Sequence, residues 1–151
     1  MNTRTLTRSA LAVLGVAGLT ASMSACSLLG GSVATAEVGE CIMYDDLNSQ
    51  SITEIDPIDC TEEHDAQFFY KFDMDDGDFP GRDGISAAAE EGCLAEFEPF
   101  VGTDFQESAL YVNFIGPSEE SWNDANDREI LCVLYLNDGS MATESWEGSG
   151  I

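Results

Sequence analysis

His64 is the only histidine in the chain, and it stands beside Asp65 and four residues after Cys60. A histidine next to a carboxylate is the raw material of a general base or of a metal ligand. A Ser-His-Asp hydrolase also needs a positioned nucleophile, and the sequence has no Gly-x-Ser-x-Gly elbow to supply one. A Cys-His enzyme needs a free thiolate, which oxidation of the cysteines would remove. Zinc meets the same obstacle, because one histidine and carboxylates make a poor four-ligand set once the thiols are oxidised. The expectation is therefore a structural His64, hydrogen-bonded to backbone, with no catalytic residue, no metal and no cofactor. A hydrolase built on His64 and Asp65 is the alternative.

Clustered carboxylates are the other candidate chemistry. Asp73-Met74-Asp75-Asp76-Gly77-Asp78 resembles a calcium loop, since hard cations take oxygen ligands. Its spacing departs from that of an EF-hand, which wants acids at the first, third and fifth positions, glycine at the sixth and glutamate at the twelfth. Here Gly77 is fifth and Ile85 twelfth. The expectation is a solvated acidic loop, with a low-affinity cation-binding surface as the alternative. Trp122 and Arg128 are expected in a loop that also contains Asp124 and Asp127. They are expected to form a structural knot, in which Arg128 neutralises an acid and Trp122 covers the core edge. The alternative is a recognition loop, because aromatics and arginine often anchor interfaces. Lys71 and Arg82 are too few to make a basic patch.

These residues need a scaffold, and the patterning predicts one. Val38 to Tyr44 is expected as a first strand, with Ile52, Ile55 and Ile58 marking a second that Pro57 breaks. His64 to Phe72 is a third, rich in aromatics. Ile85, Ala88, Ala89, Cys93 and Phe97 recur at helical spacing and predict the main helix over Ile85 to Phe97. Ala109 to Ile115 and Ile130 to Leu136 are further strands. Asn137-Asp138-Gly139 is a hairpin signal leading into Met141 to Trp146. The fold class is α+β, a small, mostly antiparallel sheet with one main helix.

Location is written at the N-terminus. Arg4 and Arg8 precede the apolar run Ala10 to Ala21, which is the pattern of a secretory signal. The run is too short for the roughly 20 residues that span a bilayer. Met23-Ser24-Ala25-Cys26 resembles the lipobox of bacterial lipoproteins, which implies that Cys26 becomes the acylated N-terminus. The alternative is a plain secretory signal cut elsewhere, with Cys26 in the discarded piece. The expected organisation is a signal peptide over 1–25, an acylated Cys26 and tether over 26–36, a domain over 37–146 and a loose tail over 147–151. Two or three acyl chains, at about 0.8 kcal/mol per buried methylene, would hold the protein on the extracytoplasmic face of a membrane without spanning it.

Export also sets the redox state. Cys41, Cys60, Cys93 and Cys132 are expected to form two disulfides. Four cysteines allow three pairings. Cys41 with Cys60 and Cys93 with Cys132 is preferred, because each joins elements near one another along the chain. The loop-entropy argument gives these about 3 and about 4 kcal/mol of stabilisation. Removing residues 1–25 leaves Lys71, Arg82 and Arg128 against all 29 acidic side chains, so the formal charge moves from -24 to 3 - 29 = -26. Such a surface repels nucleic acid and anionic headgroups over a Debye length of about 8 Å. Nucleic acid is excluded as a partner, and the charge suits a solubility or high-salt adaptation, with cation loading or a basic partner as the alternative.

Four segments in order resemble the septum formation family of actinobacterial envelope proteins. They are Val38-Gly39-Glu40-Cys41, the Asp59-Cys60 segment through His64-Asp65-Ala66, Phe79-Pro80-Gly81 with the Cys93 helix, and Pro117 to Trp122 followed by Asp127-Arg128 and Cys132. The resemblance implies a role around division or envelope maintenance and brings no catalytic chemistry. The resulting expectation is a non-enzymatic, lipid-anchored envelope interaction module, with an envelope or division protein as partner.

Overall fold

The computed structural model describes residues 35–48 and 55–151. Cys26 and Ile52 lie outside the described residues. A four-stranded antiparallel sheet runs in the order β1 (Cys41–Ile42), β2 (Ala66–Asp73), β4 (Glu129–Tyr135) and β3 (Tyr111–Ile115), with helix α1 (Gly81–Val101) against one face. The α+β expectation holds, and so do both disulfides, Cys41 with Cys60 and Cys93 with Cys132. The second of these ties the middle of α1 to the central strand β4.

The helix is longer than its apolar pattern. Ile85, Ala89, Cys93, Phe97 and Val101 are its buried residues, one every four positions, so a single stripe faces the sheet. It starts directly after Pro80 and carries Pro99 in its last turn. Gly102, at φ 89°, ends it in the left-handed conformation, its N–H donating to Glu98 O at 2.8 Å.

Side chains alternate along the strands, and both faces of the sheet are apolar. Ile130, Cys132 and Leu134 of β4 meet α1, whereas Leu131 and Val133 join Phe68, Ile42 and Ala36 on the opposite side. A bulge between Phe68 and Tyr70 breaks the alternation and sends both Phe69 and Tyr70 to the helix side. The opposite face is covered by a short 3-10 turn, Tyr44–Asn48, whose Tyr44 stacks on Tyr135 at 4.2 Å between ring centroids.

Several expected elements change. The first strand shrinks to Cys41–Ile42, because Gly39 turns the chain at φ 97° before it and the 3-10 turn begins directly after Met43. Ile58 makes only an isolated bridge to Cys41, where Pro57 has no N–H to extend a ladder. Trp122 lies on a second short helix, α2 (Glu119–Asp124), where a loop was expected; the side chains of Ser118 and Ser121 cap it reciprocally. Asn137-Asp138-Gly139 does turn the chain, but no hairpin follows. β4 is already paired on both sides, so the returning segment crosses over and bridges His64 through Ala142. Nor is the end of the chain loose. Gly148 N–H donates to Phe100 O and Gly150 N–H to Val101 O, both at 2.8 Å, occupying carbonyls that the end of α1 leaves without helical partners.

Candidate functional site

His64 sits immediately before β2 and is fully buried. Its Nδ1 lies 2.9 Å from Glu62 O. A carbonyl only accepts, so Nδ1 carries a proton. Nε2 is buried and has no hydrogen-bond partner among the described residues. The ring is tilted against Trp146, 5.4 Å between centroids. Asp65 turns to the other side of the extended chain and accepts the Tyr44 N–H at 2.6 Å. The pair is thus adjacent in sequence but not joined by a hydrogen bond. Each side chain instead closes a backbone contact of its own, His64 on Glu62 O two residues upstream and Asp65 on the 3-10 turn, while the backbone of His64 bonds Ala142 in the C-terminal segment.

The polar hub of this region is Gln67, whose sequence position gave no sign of its role. It is fully buried within β2. Its Nε2 donates to Gly39 O at 3.0 Å and to Ser145 Oγ at 2.8 Å, and its Oε1 accepts the Trp146 N–H at 2.8 Å. One amide therefore joins the start of the domain to its C-terminal segment.

At the opposite end of β2 the structure brings Trp122 and Arg128 together. The Trp122 indole is buried, donates from Nε1 to Gly77 O at 3.0 Å and meets Phe79 edge-on. The Arg128 guanidinium lies over its ring, 3.7 Å from the centroid. One terminal nitrogen of Arg128 donates to Trp122 O and Asp127 O at 3.0 and 2.8 Å, and the other to Asn126 Oδ1 at 3.3 Å. Its Nε is 3.3 Å from Asp76 Oδ1, an ion pair without hydrogen-bond alignment. Arg128 and Trp122 do meet as expected, but the acid beside Arg128 is Asp76 from the facing loop rather than Asp124 or Asp127, and backbone carbonyls take most of its hydrogen bonds.

Two open clefts flank this knot. One, of about 670 Å3, runs between Asp73 to Asp76 and Ala125 to Glu129. The other, of about 380 Å3, lies between the Asp73 to Pro80 loop, α1 and Trp122. Burial raises the Glu129 carboxyl above its ordinary value; Lys71 opposes this, while Asp73 and Asp127 add to it. Among the described residues no group of three or more histidine, cysteine or acidic side chains could hold a metal ion. No helix among them is long and apolar enough to cross a membrane.

Comparison with known proteins points to one family. The family described as septum formation matches residues 38–149, which takes in every strand and helix named above. Among curated relatives, uncharacterized membrane proteins from two strains of Mycobacterium tuberculosis are 28% identical over 108 residues. That match covers 64% of this chain but 23% of each relative, so the chain spans only a fraction of their length. No solved structure matches.

Proposed function

This chain belongs to the septum formation family, and from that premise we propose that it is a non-enzymatic interaction module, anchored by a lipid on Cys26 to the extracytoplasmic face of the cell membrane and engaged in septum or envelope processes. The observation that carries the reading is the extent of the family match, residues 38–149, which coincides with the disulfide-stapled domain. The family supplies the envelope association, and the Met23 to Cys26 pattern supplies the means of attachment. A binding role is supported by the way the residues best suited to chemistry are used. His64 is shut off from solvent, Asp65 holds a backbone N–H, and Arg128 is committed to the loops around it.

The test is imaging of the full chain, tagged at its C-terminus with a reporter that matures outside the membrane, alongside Cys26→Ala. Septal enrichment that resists a salt wash, with release of the Cys26→Ala variant into the medium, is expected. A uniform peripheral signal would remove the septal role. Retention of Cys26→Ala on the membrane would remove the lipid anchor.

A further inference from the structure

The smaller cleft beside Trp122 has a floor and a rim of opposite character. Phe72, Met74, Ala88 and Trp122 give it apolar ground, and Asp73, Asp75, Asp76 and Asp78 stand along its edge. The basic side chain that lines the adjoining cleft is already engaged. Arg128 spends its ring-facing surface on Trp122 and its terminal nitrogens on Trp122 O, Asp127 O and Asn126 Oδ1, leaving Nε beside Asp76. Among the described residues, Asp73, Asp75 and Asp78 form no ion pair. Across Arg128 the larger cleft continues the negative edge with Asp127 and Glu129.

We propose that this groove docks a basic peptide segment of a partner protein, with an apolar side chain seated over Phe72 and Met74 and lysine or arginine heads on the aspartate rim. The inference rests on the reading of the protein as an interaction module and names the chemistry of its partner. Charge complementarity selects the occupant, since rim carboxylates without internal partners attract cations and repel anionic chains. The apolar floor separates a peptide from a bare metal ion. A divalent cation needs several oxygens converging at one point, whereas lysine and arginine lay aliphatic stems on apolar ground while keeping their charges in water. The rim is spread along an edge, which suits the second arrangement.

The test is fluorescence anisotropy at physiological salt, with the purified full chain titrated into a short labelled peptide of alternating lysine and leucine. A lysine-serine peptide of equal length and charge is the control. Two charge-matched double variants are compared, Asp75→Asn with Asp78→Asn at the rim and Glu90→Gln with Glu91→Gln on the exposed side of α1. All four positions are exposed, so both variants are expected to keep the native far-ultraviolet circular dichroism spectrum. Saturable binding of the lysine-leucine peptide is expected, weakened at least tenfold by the rim variant and less than twofold by the helix variant. Equal binding of the lysine-serine peptide, equal losses in both variants, or no binding at all would overturn the proposal. So would a thermal shift with calcium chloride alone that the rim variant abolishes, which would assign the rim to a cation. Peptide binding in a protein that shows no septal enrichment would keep the groove and remove the septal reading; septal enrichment without peptide binding would do the reverse.

Discussion

The buried amide of Gln67 joins the start of the domain to its C-terminal segment, and the guanidinium of Arg128 lies over Trp122 at the other end of β2. His64, Trp122 and Arg128 were legible because each is scarce in this chain and sits among residues it could pair with. The buried amide of Gln67 was not, because nothing local marks a glutamine whose partners lie at Gly39, Ser145 and Trp146. Glu129 was hidden in the same way among 29 acids. Its carboxyl is raised first by burial, and Asp73 and Asp127 add to that. The sign follows directly. An acid whose folded value exceeds its unfolded one costs stability once ionised, so stability falls as pH climbs from the ordinary value of 4.5 through the raised one. Glu129→Gln is therefore expected to raise the thermal midpoint at pH 7 and to lose that advantage as the pH drops below 4.5. Paired melts at the two pH values check this, and an unchanged midpoint at pH 7 would contradict it.

At the level of elements, periodicity found what is long and regular. Four residues of the α1 stripe, Ile85, Ala89, Cys93 and Phe97, and the strands β2, β3 and β4 were visible with boundaries shifted by a few residues, whereas Ala88 is only half-buried and Val101, past the expected end of the helix, completes the stripe. Missed was what depends on distant partners. The segment after Asn137 met every local condition for a hairpin, yet its neighbour strand was already taken on both sides. Helix α2 is only six residues long, too short to show a helical period, and its capping uses Ser118 and Ser121 rather than a serine-glutamate pair. The join between β3 and α2 is packed closely against α1. A Cβ at Gly116 would stand 2.8 Å from Ile85 Cγ2 and 3.0 Å from Ile130 Cδ1. Both isoleucines are buried, and their branched side chains have little rotational freedom. Gly116→Ala is expected to cost about 1–3 kcal/mol by overpacking. Urea denaturation measures it, and a loss within about 0.5 kcal/mol of zero, as at ordinary surface sites, would show that the helix-sheet seam yields. The outer rim of β3 is treated differently, since Asn113 Oδ1 accepts the Phe114 N–H and Ser108 Oγ accepts the Leu110 N–H. Donors that could recruit another strand are thereby occupied.

Across the whole molecule, charge was fully legible and its layout was not. Composition gives a strongly acidic domain, but only the structure shows that two ion pairs, Lys71 with Glu37 and Arg128 with Asp76, are formed among the described residues. Most carboxylates are therefore left to repel one another. The Debye length falls from about 30 Å at 0.01 M salt to about 3 Å at 1 M. The thermal midpoint is expected to rise across that range, alike in sodium and potassium chloride, because screening relieves self-repulsion in the compact state. A flat response would mean that the two disulfides and the core dominate so completely that surface charge carries no measurable weight.

For a chain exported as proposed, the order of the strands decides when it can fold. The strand that sits between β2 and β3 is the last of the four along the chain, and Trp146, which helps close the core against His64, comes later still. A chain threaded through a secretion channel from its N-terminus would deliver β1, β2, α1 and β3 before the piece that unites them. None of those segments can complete the sheet alone, so translocation would proceed on an unfolded chain and folding would wait for release. Oxidation of Cys93 must wait with it, since Cys132 arrives on that same central strand.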